Sequence, residues 1–181
     1  MKYATKPLLH RTPSPWGDLL LAATPQGLCS MWFAQGQKHL PDMNAWPAGR
    51  NAWIDQAQAQ LEEYFAGKRR VFDVPLDLSA GTEFQQSVWR AILAIPMGQV
   101  VSYGSIAHSL NNPAAVRAVG AATGRNPVGI IVPCHRVVGA TGALTGYAGG
   151  LARKIALLQL EGANTVPFKT TSAQHLQAIL I

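Results

Sequence analysis

The amino-terminal part of the chain combines short apolar runs with turn-forming residues. Two apolar runs, at 19–23 and 28–34, are separated by Thr-Pro-Gln-Gly at 24–27. Proline and glycine favour a turn at such a position, so the pattern predicts a β-hairpin. Cys29 lies within the second run, where a cysteine usually behaves as a small buried apolar side chain. We therefore expect Cys29 to be structural and unreactive.

In the next segment, the apolar residues recur with the period of an α-helix. Residues 51–69 predict a helix that Gly67 is suited to end. Its inward side chains are expected to be Trp53, Ile54, Ala57, Leu61, Tyr64 and Phe65. Residues 71–78 predict a short strand interrupted by Pro75. The small and polar residues that follow indicate a boundary, which gives an amino-terminal α/β domain at 1–79 and a second domain at 80–181.

The second part has a mainly helical pattern. Thr82 is suited to cap an amphipathic helix. The apolar side of that helix comprises Phe84, Val88, Trp89, Ile92, Leu93 and Ile95. Residues 99–110 begin extended and become helical after Ser102, and residues 112–124 predict another helix with Pro113 in its first turn.

The remaining apolar segments complete the predicted fold. The run before Pro133 predicts a buried strand, and a short helix is possible at 172–180. Residues 151–162 predict a helix whose inward residues are Leu151, Ile155, Leu158 and Leu160. The fold class is therefore α/β, with a small amino-terminal β-sheet-plus-helix domain followed by a mainly helical carboxyl-terminal domain that contains a helix-turn-helix.

The second helix of this helix-turn-helix has an almost bare outer face. One long cation, Arg117, is surrounded by small residues, namely Ala114, Ala115, Ala118, Gly120 and Ala121. Small side chains allow close approach either to a neighbouring helix or to a groove of DNA. Arg117 favours DNA, because an unpaired guanidinium is costly to bury. It can reach a phosphate, a base edge or the space left by an absent base.

Composition and charge narrow the choice of partner. The formal net charge of +6 and the pI of about 9.7 favour a polyanion, with nucleic acid as the first candidate, although many small basic proteins bind none. No signal peptide and no apolar stretch of about 18 residues is evident, so we expect no membrane span. The two cysteines lie far apart and have no partners at metal-ligand spacing. We expect a reducing, cytoplasmic location and no metal.

The sequence Pro-Cys-His-Arg at 133–136 carries the candidate chemistry. Cysteine reacts as the thiolate, and a neighbouring imidazole or guanidinium lowers its pKa. A base such as His135 needs an acceptor to orient it. Glu161 is the only acidic residue after Glu83, so it is the leading candidate by elimination. The alternatives are a buried structural cysteine, a satisfied structural histidine, and an Arg136 that is a surface charge or holds a loop carbonyl.

These residues and their surroundings resemble a known family. The motif "IIVPCHRVVG", preceded by "RNPVG" and followed by "TGYAGGLARKIALLQLEG", is similar to the O6-alkylguanine-DNA alkyltransferases, also called methylated-DNA–protein-cysteine methyltransferases. The similarity runs from Thr82 to Gly162 and looks closest to the bacterial constitutive type. The amino-terminal part matches only loosely.

The resemblance implies specific roles for the residues of the site. Cys134 would accept the alkyl group from guanine O6, and His135 would deprotonate the thiol through a water molecule while Glu161 holds the imidazole. Asn126 would fasten the turn that leads to the cysteine. Arg117 would replace the extruded nucleotide and Tyr103 would help to extrude it. The remaining contacts to DNA or to the base would come from Ala115, Val116, Arg136, Val137, Tyr147 and Ala148.

The implied function is single-use DNA repair. The substrate would be O6-alkylguanine in double-stranded DNA, with O4-alkylthymine as a second substrate, and a monomer would act without a cofactor. Some family members bind zinc in the amino-terminal domain, but Cys29 has no companion cysteines. Two alternatives stay open: a cysteine hydrolase that turns over a small acyl substrate, and a lesion-binding module with an unreactive cysteine.

Overall fold

A computed structural model describes residues 3–163 of the chain, so the helix predicted at 172–180 lies outside the described residues. The strands are β1 (Leu8–Thr12), β2 (Leu19–Thr24), β3 (Gly27–Phe33), β4 (Val101–Ser102) and β5 (Val137–Val138). The α-helices are α1 (Ala52–Phe65), α2 (Glu83–Leu93), α3 (Tyr103–Ser109), α4 (Val116–Gly124) and α5 (Leu151–Leu160). Two 3₁₀ turns cover Pro113–Ala115 and Cys134–Arg136. The predicted class is confirmed: a small amino-terminal sheet with one helix precedes a mainly helical part.

The amino-terminal sheet is antiparallel, in the order β1-β2-β3. The predicted hairpin is β2 and β3, with Leu21 opposite Met31 and a register shift between Ala22 and Ala23. The pattern missed β1, because Leu-Leu-His-Arg-Thr has too few apolar positions to show a period of two. Helix α1 packs against β2 and β3. Of its side chains predicted to face inward, four are buried and two, Trp53 and Phe65, are partly buried. Cys29 is fully buried within β3.

The segment predicted as a strand at 71–78 is not one. It makes a single bridge, in which Leu28 N donates to the Pro75 carbonyl at 2.8 Å and Asp77 N donates to Leu28 O at 2.9 Å. Pro75 has no N–H, so a regular ladder cannot continue through it. The segment instead lies directly against the start of β3, beside Gly27.

Gly27→Ala should destabilise the protein by about 2 kcal/mol, because overpacking of a tight contact has a cost of this order. A Cβ at Gly27 would lie 2.6 Å from the Pro75 carbonyl oxygen, a backbone atom that cannot rotate away. The measurement is the free energy of unfolding in urea. Gly124→Ala is the matched control, because a Cβ there meets nothing within 4 Å and alanine suits a helix. Equal stabilities for the two variants would contradict the expected clash.

Helices α3 and α4 pack against α2, and α5 packs against the 3₁₀ turn that contains Cys134. Thr82 caps the start of α2, as predicted, and it forms a reciprocal capping box with Gln85. The Trp89 indole donates to Ala122 O at 2.9 Å and so ties α2 to α4. Two residues predicted to face inward are exposed instead, Leu93 at 41% and Leu151 at 45%. Both lie in a terminal turn of their helix, where the packed stripe ends.

The predicted helix-turn-helix is α3 and α4, which pack together and are joined by a short connection. Ser102 caps α3 and accepts from Ser105 N. Ser102 also pairs with Val138 in the parallel β4–β5 ladder, and Val101 pairs with Val137. This ladder fixes the start of α3 beside the segment that follows Cys134.

The apolar run before Pro133 is a buried turn, and the strand predicted there is wrong. Val128 makes one bridge to Met31 of β3. The chain then reverses, with Val132 N bonded to Val128 O at 2.9 Å and Ile130 in the left-handed region at φ 61°. Periodicity cannot distinguish a buried turn from a buried strand, because both are apolar throughout.

Candidate active site

Cys134 is the first residue of the 3₁₀ turn that follows Pro133, and it is 7% exposed. Asn126, just beyond α4, donates through Nδ2 to Cys134 Sγ at 3.1 Å and to Val132 O at 2.7 Å. Its Oδ1 accepts from Val128 N at 3.1 Å. The structure therefore places Asn126 as the fastening of the turn and as a direct neighbour of the sulfur.

The sulfur lines a narrow cleft that is partly open to solvent and has a cavity volume of about 10 Å³, room for about one water molecule in this structure. One wall is β3 of the amino-terminal sheet, and the other is the loop after β5. The lining residues include Met31, Phe33, Asn126, Cys134, Tyr147 and Ala148. Met31 also bonds to this region through its backbone, since its N–H donates to Pro127 O at 2.8 Å and its carbonyl accepts from Gly129 N at 3.0 Å. No sequence pattern indicated that β3 would help to form the site.

Burial raises the pKa of the Cys134 thiol above its ordinary value. The Asn126 hydrogen bond and the charge of Lys154 oppose this effect without reversing it. A neighbouring cation does lower the pKa, as expected, but the cation is Lys154, and in the free protein desolvation of the anion is the larger effect. The resting group is the neutral thiol, so attack by sulfur needs a base.

His135 and Glu161 are brought together, as elimination predicted. His135 Nε2 lies 2.8 Å from Glu161 Oε1, and neither side chain is exposed. Burial lowers the pKa of His135, and Glu161 opposes that shift only in part. The imidazole is therefore neutral at pH 7, with its proton on the nitrogen that faces the carboxylate. Nδ1 is buried and has no hydrogen-bond partner within residues 3–163, which leaves an acceptor available.

Arg136 is buried and does not reach a DNA-binding surface, contrary to the expected contact. Its Nε and Nη2 donate to Glu161 Oε2 and Oε1, each at 2.8 Å, and its Nη1 donates to the Ile95 carbonyl. The loop-carbonyl alternative for Arg136 is the one that fits. Burial would raise the pKa of Glu161, but the hydrogen bonds from His135 and Arg136 outweigh it and hold that pKa well below its usual range.

Two polar side chains at the site were not predicted from the sequence. Lys154 of α5 is fully buried and donates to Val137 O at 2.6 Å and to Thr145 O at 3.1 Å, so it ties β5 to the following loop. Burial lowers its pKa to about 8. Its spacing from Leu158, one helical turn away, was an available signal. Tyr64 of α1 donates to Glu161 Oε1 at 2.7 Å, and no sequence pattern specified that partner.

The outer face of α4 is exposed, and no helix of the described part of the chain covers it. The exposed positions are Ala114, Val116, Arg117, Ala118 and Ala121, and Ala115 is partly exposed. The ring of Tyr103 lies close to Gly120, 3.9 Å from where a Cβ would be if that residue had one. Thr145 Oγ1 donates to Tyr103 Oη at 3.4 Å. Tyr103 therefore lies between the small-residue face and the loop that borders the cleft.

Of the other residues expected to contact the base, Tyr147 and Ala148 line the cleft, whereas Val137 is fully buried and is not part of its lining. Burial raises the pKa of the Tyr147 phenol well above the ordinary value. Ala148 O accepts from Lys38 N at 2.9 Å. The Cys134 carbonyl accepts from Val137 N, and Val137 O accepts from Lys154. Carbonyl oxygens have two lone pairs, so these groups can accept a further hydrogen bond.

Two family models match the chain. One is the 6-O-methylguanine DNA methyltransferase, DNA binding domain, over residues 83–163, and the other is the ribonuclease-like domain of the same proteins over residues 8–78. The chain belongs to the 6-O-methylguanine DNA methyltransferase family. The resemblance seen in the Pro-Cys-His-Arg motif is thereby confirmed, and the family match extends into the amino-terminal part.

Relatives in this family are similar over most of their length. A methylated-DNA–protein-cysteine methyltransferase from Methanosarcina acetivorans is 50% identical over 83% of this chain and 95% of the relative. One from Mycobacterium bovis is 51% identical over 82% of this chain and 88% of the relative. The crystal structure of Mycobacterium tuberculosis OGT in complex with DNA is similar with a TM-score of 0.78, at 47% identity, over 85% of this chain and 92% of that one.

Within residues 3–163, no helix is long and apolar enough to cross a membrane. The same residues contain no group of three or more His, Cys, Asp or Glu side chains placed to hold a metal ion.

Proposed function

We propose that the chain repairs O6-alkylguanine in double-stranded DNA by transferring the alkyl group to Cys134. The observation that carries the proposal is a cysteine that lines a cleft and is followed directly in sequence by the histidine of a buried His135–Glu161 pair. The curated relatives are named methylated-DNA–protein-cysteine methyltransferases, and one similar structure was solved with DNA. O4-alkylthymine is a second substrate.

The reaction proceeds by displacement at the alkyl carbon. A bond forms from Cys134 Sγ to that carbon while the bond from the carbon to guanine O6 breaks, and its electron pair stays on the guanine. The thiol proton passes through a water molecule to His135 Nδ1. Glu161 stabilises the imidazolium that forms, because it is held ionised. The guanine anion takes up one proton, which His135 gives back through water, and this restores the normal form of both the base and the imidazole.

The geometry also supports an extruded base. The target carbon lies inside the base stack, so a buried sulfur cannot reach it unless the nucleotide rotates out. The face around Arg117, with Ala115 and Val116, can approach a groove closely, and Arg117 fills the gap in the stack. Tyr103 assists extrusion. In the cleft, Tyr147 borders the base, and backbone groups of Val137 and Ala148 bind its edge.

The organisation of the chain follows from the same proposal. The boundary near residue 80 separates an amino-terminal domain from the DNA-binding and alkyl-acceptor domain, and the two family matches end at 78 and begin at 83. One chain supplies all the groups named above, which supports action as a monomer. Two free cysteines support a reducing, cytoplasmic location.

Incubation with duplex DNA that contains O6-methylguanine should add the mass of one methyl group to each protein molecule and no more. A thioether is not hydrolysed under these conditions, so the sulfur cannot act again. Intact-mass and peptide-mass measurements should place the methyl on Cys134 and not on Cys29. Repeated turnover on a small acyl substrate would favour a hydrolase, and binding without any gain of mass would favour a lesion-binding module.

A further inference from the structure

Tyr64 connects the amino-terminal part of the chain to the catalytic carboxylate. It lies on α1, and its ring is fully buried against Phe65 and Phe72, with centroid distances of 5.5 Å and 5.3 Å. Its hydroxyl is 2.7 Å from Glu161 Oε1, which is 97 residues away in the chain. Burial and the neighbouring Glu161 raise the pKa of the Tyr64 phenol, so Tyr64 is a neutral donor.

Glu161 Oε1 accepts from three donors at once. They are the Tyr64 hydroxyl, His135 Nε2 and Arg136 Nη2, at 2.7, 2.8 and 2.8 Å. The other oxygen accepts from Arg136 Nε. Three donors on one oxygen fix the direction from which each approaches, and each one withdraws negative charge from the carboxylate.

We propose that Tyr64 is a positioning residue for alkyl transfer: its hydroxyl orients the Glu161 carboxylate and limits the basicity of that carboxylate toward His135. This role rests on the proposed function. The amino-terminal domain thereby acts on the proton relay as well as forming one wall of the cleft. Tyr64 contacts neither substrate nor sulfur in this role and acts only through Glu161.

The sign of the effect follows from the charges around His135. Glu161 favours the imidazolium, whereas burial and the cations Arg136 and Lys154 disfavour it; Cys134 and Tyr147 are neutral in the resting protein. Without the Tyr64 hydroxyl, Glu161 carries more negative charge, so the pKa of His135 rises. His135 is then protonated, and unable to accept the thiol proton, up to a higher pH.

The test is the single-turnover rate of methyl transfer from O6-methylguanine duplex at saturating DNA, measured from pH 5 to 9. Tyr64→Phe keeps the ring and removes the hydroxyl, and we expect the rate at neutral pH to fall about tenfold. The acid limb of the profile should move to higher pH, and the DNA concentration at half-maximal rate should not change. In a Glu161→Gln background, Tyr64→Phe should have almost no further effect on the acid limb, because a neutral amide carries no charge for the hydroxyl to moderate.

Tyr3→Phe is the matched control. It removes a tyrosine hydroxyl from the same part of the chain, one that donates to Cys29 O at 2.9 Å and does not contact Glu161. Its pH profile should match that of the wild type. If Tyr64→Phe proves too unstable to assay, 3-fluorotyrosine at position 64 replaces it: this more acidic donor should move the acid limb to lower pH.

The outcomes separate the two proposals. A uniform loss of rate at every pH, an unchanged rate, or full additivity with Glu161→Gln would overturn the role of Tyr64 while wild-type transfer continues. Absence of methyl transfer by the wild-type chain would instead overturn the proposed function, and the role of Tyr64 with it.

Discussion

Cys134→Ser is expected to gain no methyl group from O6-methylguanine duplex under conditions in which the wild-type chain gains one. A serine hydroxyl has a far higher pKa than a thiol and is a weaker nucleophile, and His135 is too weak a base to ionise it. The substitution replaces the sulfur atom by oxygen and leaves the shape of the turn unchanged, so binding to the DNA should persist. Intact mass and a gel-shift titration measure the two properties separately.

Cys29→Ala is the control for that experiment. Cys29 is fully buried, and burial raises the pKa of its thiol to about 12. It should therefore be unreactive, and its replacement should leave the gain of one methyl unchanged. A methyl group found on the Cys134→Ser protein, or lost from the Cys29→Ala protein, would show that the acceptor has been assigned to the wrong residue.

The second large effect concerns Arg117. Arg117→Ala should slow repair of duplex DNA about 100-fold, because the empty position in the stack is no longer filled and unstacking costs a few kcal/mol. Reaction with free O6-benzylguanine should be nearly unchanged, since a free base needs no extrusion. The ratio of the two second-order rate constants measures the effect.

Arg70→Ala tests whether charge alone explains that result. Arg70 is an exposed cation of the amino-terminal part, so its removal changes the net charge equally. A general weakening of the attraction to phosphates should lower the rate of duplex repair equally in the two variants. That loss should be largest at low salt. Equal losses on duplex DNA and free base for Arg117→Ala would reject the role of Arg117 in extrusion.

Much of the fold could be predicted because local signals agreed with long-range packing. The caps at Thr82 and Ser102, the turn at 24–27 and the periodicity of α1 each specify their element from neighbours in sequence. The prediction failed where burial alone produced the apolar pattern. The turn before Pro133 is apolar because β3 and the helices cover it, and the sequence cannot show whether a covered segment is straight.

The site was predicted less completely than the fold, for a related reason. Elimination found Glu161, since no other acid follows Glu83. The resemblance placed Arg136 among the DNA contacts, and only the structure shows that it binds a buried carboxylate. Tyr64 and Lys154 have inward positions that periodicity can identify, but their partners depend on how separate elements pack.

The backbone pairing of Met31 has a consequence for how this chain can change. Its N–H and carbonyl bond to the residues on either side of Val128. Strand β3 is therefore hydrogen-bonded to the buried turn that leads to Cys134. Inserting or deleting one residue in β3 would turn Met31 to the other face and displace that turn. Length variation should therefore accumulate in loops and not in β3, whereas these backbone bonds can form whatever side chain position 31 carries.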